Sequence, residues 1–327
     1  MHKLLTLGLL LAISRLAAQD PVFSQFYALP LQLNPGFAGS AYAPRVGLIY
    51  RNQWTGFDNA YRTYALSYEQ SLDRLNSGIG FNITGDNAGN GIYKTNRFSG
   101  VYAYRLNLTK RFNIRLGVEG GMHQTSLNWD KLLFPDQIDP IDGPIFTSGE
   151  LTPELTTRTL FDVSAGMLLL GERWYGGLSL KHLNTPNDGI LLINDNLSRG
   201  LPLLYNLHGG FDILVKAGNK HREASFLSPN FLFVAQGPYK QLNVGAYGSL
   251  GSFYGGLWYR HTFRNSDAAI LLAGFRQGIF KIGLSYDLTV SGLAGNAGGT
   301  YELSVGMQFA GSPRRKYDLN DCLRMFQ

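Results

Sequence analysis

Six histidines, one cysteine and a crowd of acidic residues are the groups in this 327-residue sequence that could do chemistry. His2, His123, His182, His208, His221 and His261 are dispersed, and none falls in the H-E-x-x-H spacing that sets two imidazoles on one helix face to hold zinc. His208 and Asp212 share one face of a strand, where interior hydrogen bonding explains the pair better than catalysis does. Asp130, Asp136, Asp139, Asp142, Glu150 and Glu154 crowd residues 125–157 and offer oxygens to Ca²⁺, but their spacing is not that of an EF-hand, and a solvated acidic loop is the simpler reading. No G-x-S-x-G elbow or Walker loop is present, and no Ser/His constellation announces a barrel lipase. Cys322 stands alone, so no intrachain disulfide can form. These residues predict no enzyme, no cofactor and no metal site.

The elements that must position these groups are strands. In residues 111–119 Phe112, Ile114, Leu116 and Val118 alternate with Arg111, Asn113, Arg115, Gly117 and Glu119, the period of a half-buried strand. The pattern returns at 280–288 and 301–309, and about fourteen such segments lie between residues 44 and 309, most with the ~9–11 residues that a tilted membrane strand needs. The composition agrees: 44% hydrophobic residues with 20 Phe, 18 Tyr and 4 Trp exclude disorder, and no run is apolar enough for a set of membrane helices. The formal charge of +6 is scattered, and its one short cluster is at Arg314, Arg315 and Lys316, so no nucleic-acid partner is expected.

The faces select an all-β, FadL/porin-like transmembrane antiparallel β-barrel over a soluble sandwich. A barrel in lipid turns apolar faces outward and lines itself with polar and small residues, and Tyr and Trp gather near the strand ends at Tyr50, Trp54, Tyr93, Trp174, Tyr175, Tyr239 and Tyr301. Connections alternate between short turns and the long 125–157 and 185–201 loops, which predicts periplasmic turns and outer loops. The loops carry apolar residues, among them Trp129, Phe134, Ile138, Phe146, Ile190, Leu191, Leu192 and Ile193, which either form an outer docking surface or pack on each other over the barrel mouth. Residues 1–18 read as a signal peptide: His2 and Lys3, an apolar run, then Leu16-Ala17-Ala18. The expected organisation is signal peptide 1–18, plug or rim segment 19–42, outer-membrane barrel 43–309 and periplasmic tail 310–327, with both termini periplasmic and Arg314, Arg315 and Cys322 as candidate tail contacts.

One stretch is more specific than periodicity. QDPVFSQFYALPLQLNPGFAG, from Gln19 to Gly39, followed by Arg51-Asn52-Gln53-Trp54, resembles the PorP/SprF family of outer-membrane proteins of type IX secretion and gliding machinery in Bacteroidetes-like bacteria. The resemblance extends through the barrel length to the basic, Cys-containing tail. It implies a component that works with other machinery subunits to export, or hold at the surface, proteins carrying a C-terminal secretion domain. On the residues themselves, Pro30, Pro35, Gly36 and Gly39 disfavour regular structure while Phe23, Phe26, Tyr27 and Leu31 are apolar anchors. Phe23, Phe26, Tyr27, Asn34, Pro35, Arg51, Gln53 and Trp54 are therefore candidates for bracing or partner contact. The rival expectation is a porin or transporter with a pathway for small or hydrophobic solutes.

Overall fold

The computed structural model describes residues 19–41, 43–57, 60–109, 111–189, 200–216, 224–263, 265–292, 295, 297–309, 323, 325 and 326. Among them the alternating segments form strands β1 (Arg45–Gln53), β2 (Tyr61–Leu72), β3 (Ser77–Ala88), β4 (Tyr93–Thr109), β5 (Phe112–Leu127), β6 (Thr157–Leu170), β7 (Trp174–Lys181), β8 (Leu204–Phe211, resuming as Ile213–Lys216), β9 (Ser225–Gln236), β10 (Tyr239–Leu250), β11 (Phe253–Thr262), β12 (Asn265–Gln277), β13 (Phe280–Thr289) and β14 (Thr300–Gln308). Each pairs antiparallel with its neighbours in sequence, and β1 pairs with β14 from Arg45↔Gln308 to Gln53↔Thr300. The result is a closed fourteen-stranded antiparallel barrel, which leaves no sheet edge to satisfy.

Its two ends differ. At the turn end the chain reverses tightly, with Asn76, Gly251 and Gly278 in left-handed backbone at φ 49°, 65° and 58°. At the loop end β5 and β6 are joined by residues 128–156, which hold 3-10 turns at Trp129–Lys131 and Pro135–Gln137 and a small hairpin of Ile138–Asp139 with Gly143–Pro144. The second long connection runs from β7 to β8. No helix among the described residues is long and apolar enough to cross a membrane.

The faces are inverted relative to a soluble protein. Leu48, Tyr64, Phe81, Tyr102, Leu116, Leu207, Leu257, Leu284 and Leu303 are exposed on the outer wall, while Arg115, Asn206, His208, Asp212, Asp287 and Glu302 are buried on the inner one. Two side chains depart from the expected pattern. Arg111 sits beside the β4–β5 turn, paired with Glu172 at 3.0 Å. Tyr175, expected at the lipid interface, points inward, where its hydroxyl donates to Asn230 Oδ1 at 2.6 Å.

The lumen is filled by the chain itself. Residues 19–41 thread it from the loop end to the turn end through a helical turn at Pro30–Leu33 and a 3-10 turn at Pro35–Phe37, then lead into β1. Leu29, Leu31, Phe37 and Ala38 of this segment are 0–2% exposed. Wall glycines make the space: a Cβ on Gly117 would stand 2.3 Å from the Pro35 carbonyl carbon, and one on Gly166 would stand 2.1 Å from Asn34 Oδ1. Leu323, Met325 and Phe326 fill the turn-end half at 1–2% exposure, so the last described residues of the tail turn into the barrel instead of reaching away from it.

Candidate functional site

Three charged clusters on the inner wall hold the 19–41 plug, two toward the loop end and one at the turn end. Near the loop end, Arg97 of β4 grips Asp20 with both terminal nitrogens, at 2.5 and 2.6 Å. His182, just past β7, places Nε2 3.0 Å from Asp20 and Nδ1 2.9 Å from Asp162, so both ring nitrogens face carboxylates. Arg97 Nε donates to His123 Nδ1 at 2.9 Å, which leaves the His123 Nε2 proton for Thr125 Oγ1 at 3.1 Å. Burial raises the Asp20 carboxyl, but the Arg97 guanidinium and the His182 ring outweigh it and hold the group well below the usual carboxylate range. The Asp20 amide completes the anchor by donating to Gln236 Oε1 at 2.8 Å.

The second cluster joins the plug to the seam of the barrel. Glu302 of β14 accepts the backbone N–H groups of Ser24 and Gln25 at 2.7 and 2.8 Å and pairs with Arg51 of β1. The Ser24 hydroxyl donates to Asp287 at 2.6 Å and accepts from Arg51 and Arg260 at 3.2 and 2.5 Å, which uses its full hydrogen-bonding capacity. Arg51 and Arg260 here face Glu302 and Asp287, and Asp267 also lies 3.5 Å from Arg260, so each buried arginine has a carboxylate partner. The third cluster lies at the turn end. Arg45 pairs with Glu69 and donates to the Phe326 carbonyl, while Glu69 accepts the Ser40 amide at 3.2 Å.

Between the clusters, Asn34 Nδ2 reaches the carbonyls of Met167 and Leu178 at 3.0 and 3.2 Å and His208 Nε2 at 3.2 Å, and its Oδ1 caps the Gly36 amide at 2.8 Å. His208 also stacks on Phe37 at 5.6 Å, while Asp212 accepts from Ser228 at 2.6 Å, so the two do not form a pair. Arg115 of β5 donates to the carbonyls of Gly36 and Ala38 at 3.1 and 2.5 Å.

The structure brings together the two sequence elements singled out above. Arg51 meets Ser24, Gln53 Oε1 accepts from Arg51 at 3.3 Å, and Phe26 packs edge-on to Trp258 at 5.1 Å. Phe23 joins Leu29, Ile49 and Ala65, Tyr27 lies against Tyr247 at 5.3 Å, and Pro35 is buried. Trp54 stands apart at the loop end, edge-on to Tyr61 at 5.4 Å in left-handed backbone. In the 128–156 loop Trp129 and Phe134 pack on each other at 5.0 Å, whereas Ile138 and Phe146 are about half exposed. Asp136 and Asp139 hydrogen-bond within that loop, Asp136 to Ser148 and Gly149 and Asp139 to the amides of Ile141 and Asp142. Ile190, Leu191, Leu192, Ile193, Arg314, Arg315 and Cys322 lie outside the described residues. Sequence reasoning did not single out Asp20, Arg45, Arg97, His182, Arg260 or Glu302. For Arg45, Arg97, Arg260 and Glu302 the one signal was a charge on an alternating strand at a lumen-facing position, while Asp20 in the plug and His182 just past β7 carried none.

The sequence profile described as type IX secretion system membrane protein PorP/SprF matches residues 15–307. The chain belongs to the PorP/SprF family. This PorP/SprF chain is thus an integral outer-membrane β-barrel of the type IX secretion system. Among solved structures, the Acinetobacter baumannii outer membrane protein Omp33 is similar at 6% identity and a TM-score of 0.45, over 83% of this chain and 100% of that one. A triple mutant of the Rh. blastica porin is similar at 5% identity and a TM-score of 0.35, over 82% of this chain and 99% of that one. No curated protein matches the sequence.

Proposed function

We propose that this PorP/SprF barrel is a non-enzymatic docking component that supports secretion or surface attachment of cargo proteins carrying a C-terminal secretion domain. The observation that carries this reading is the filled lumen. A barrel whose interior holds its own residues 19–41 and Leu323, Met325 and Phe326 offers its two end surfaces to partners, not a pathway between them. In this reading the turn end and the C-terminus face the periplasm and the other machinery subunits, the outer wall meets lipid, and residues 1–18 are a cleaved signal whose removal leaves the new N-terminus beside Asp20 at the outward loop end, contrary to the expectation of two periplasmic termini. The loop end faces outward, where Ile141 and Leu151 are 92% and 88% exposed and form, with Ile138 and Phe146, the surface for cargo.

The test is mild-detergent purification of tagged protein from its native outer membrane, with mass spectrometry of what co-purifies and single-channel recording of the same sample. Machinery subunits or a large surface protein with a C-terminal secretion domain, together with a closed barrel, are the expected result. A lone barrel that conducts would return the chain to the porin or transporter reading.

A further inference from the structure

At the loop end the plug is gripped by a residue that must carry an extra proton to do so. His182 is 1% exposed, and its ring stands between two carboxylates, with Asp20 of the plug 3.0 Å from Nε2 and Asp162 of β6 2.9 Å from Nδ1. An ionised carboxylate only accepts, so both ring nitrogens must donate, which the imidazolium alone can do. A neutral ring would aim a lone pair at one of the two. The backbone is committed to this placement, since His182 lies just past β7 at φ 60°, in a left-handed conformation that few residues with a Cβ adopt. Arg97 of β4 grips the same Asp20, His123 of β5 lies edge-on to His182 at 6.4 Å, and Asp188 of the β7–β8 connection lies 4.0 Å from His123. Asp86 of β3 bonds Thr63, and Lys181 turns to Glu119 at 3.9 Å. His123 accepts from Arg97 and so stays neutral. With Arg97 and His182 set against Asp20 and Asp162, the centre of the cluster is balanced with the proton and net negative without it.

We propose that the second proton of His182 is a latch on the plug: with it the ring clasps Asp20 to Asp162, and without it, in alkaline medium, the loop-end part of the plug comes away from the wall. Burial alone would favour the neutral ring, yet the Asp20 carboxylate and the hydrogen bonds to Asp162 and Asp20 outweigh it and raise the His182 pKa from 6.5 to about 9. A group raised on folding stabilises fully below its ordinary value and loses that contribution as the pH rises through the folded one. The latch is therefore closed at neutral pH and released around pH 9. This sets an alkaline limit on plug retention, and it holds whether or not the barrel docks cargo.

The experiment uses the full-length barrel, with conductance recorded in planar bilayers from about pH 7 to about pH 10.5 and the His182 ring followed by NMR of histidine-labelled protein in detergent. The ring signal is assigned by its loss in His182→Arg. Two results are expected together. His182 should be doubly protonated at about pH 8 and titrate near pH 9, and the open probability should rise about tenfold between about pH 8 and about pH 10, as the neutral fraction of such a group does. His182→Arg, a permanent cation with donors for both carboxylates, should stay closed to about pH 10.5, while His182→Gln should conduct at about pH 7.5 with no transition near pH 9. Folding of each variant is checked by heat-dependent gel migration, and the parent and His182→Arg decide the matter even where His182→Gln fails to fold. A neutral ring at about pH 8 would overturn the proposal. So would opening of His182→Arg at the parent's pH, which would give the transition to another group, or a parent that stays closed while His182 loses its proton.

Discussion

Glu302 is the side chain on which the plug's attachment converges. It holds two consecutive amides of the plug and balances Arg51 on the strand across the seam. Glu302→Gln keeps the shape and removes the charge, and breaking a buried pair by removing one partner costs about 3–5 kcal/mol. The expected outcome is a lower unfolding temperature in heat-dependent gel migration, with the barrel still inserted. Asp20 makes a pH prediction whose sign follows from its depressed pKa. Its ion pairs contribute fully above the ordinary value of 3.8 and are lost only as the pH falls through the lower folded value. Single-channel recordings should therefore stay closed from about pH 8 to about pH 5 and open only in strong acid, while Asp20→Asn should leak at neutral pH. At this scale the sequence was partly legible. Alternation assigned Arg115 and Asp287 to the lumen face, but no local pattern could pair Arg97 with Asp20 across the interior.

Strands and plug differ in how far they could be read. A strand in lipid writes its two environments into every second residue, which is why β5 and β13 stand out in the sequence. The plug is surrounded by protein on all sides and needs no period, so its path was not legible, although its Pro and Gly content correctly disfavoured long regular structure. The broken β8 was unmarked for the same reason, because Asp212, between its two parts, meets a hydroxyl from the neighbouring strand instead of water. Where plug and wall touch, the wall has given up side chains. Gly117→Val would place its added carbons against Pro35 and Gly36. The expected outcome is a correctly inserted barrel with a dislodged plug, read as leakage of a bulky antibiotic into cells and as protease cleavage within residues 19–41.

For the molecule as a whole, deletion of residues 20–40 tests whether the wall alone makes a channel. Conductance in planar bilayers is expected to appear, and stability to fall, since the plug supplies much of the buried apolar surface. At the loop end, replacing Ile141, Ile145, Phe146 and Leu151 with Ser removes exposed apolar side chains without touching the barrel. Cargo display on cells should fall severalfold at unchanged barrel abundance, measured by surface labelling. The plug has one more consequence, which concerns timing. Ser24 and Gln25 are held by Arg51 on the first strand and Glu302 on the last, residues as many as 278 positions away along the chain. Closing the ring and seating its earliest residues are therefore a single late event in assembly, and a chain lacking residues 20–40 should linger as an open, protease-sensitive sheet before it closes.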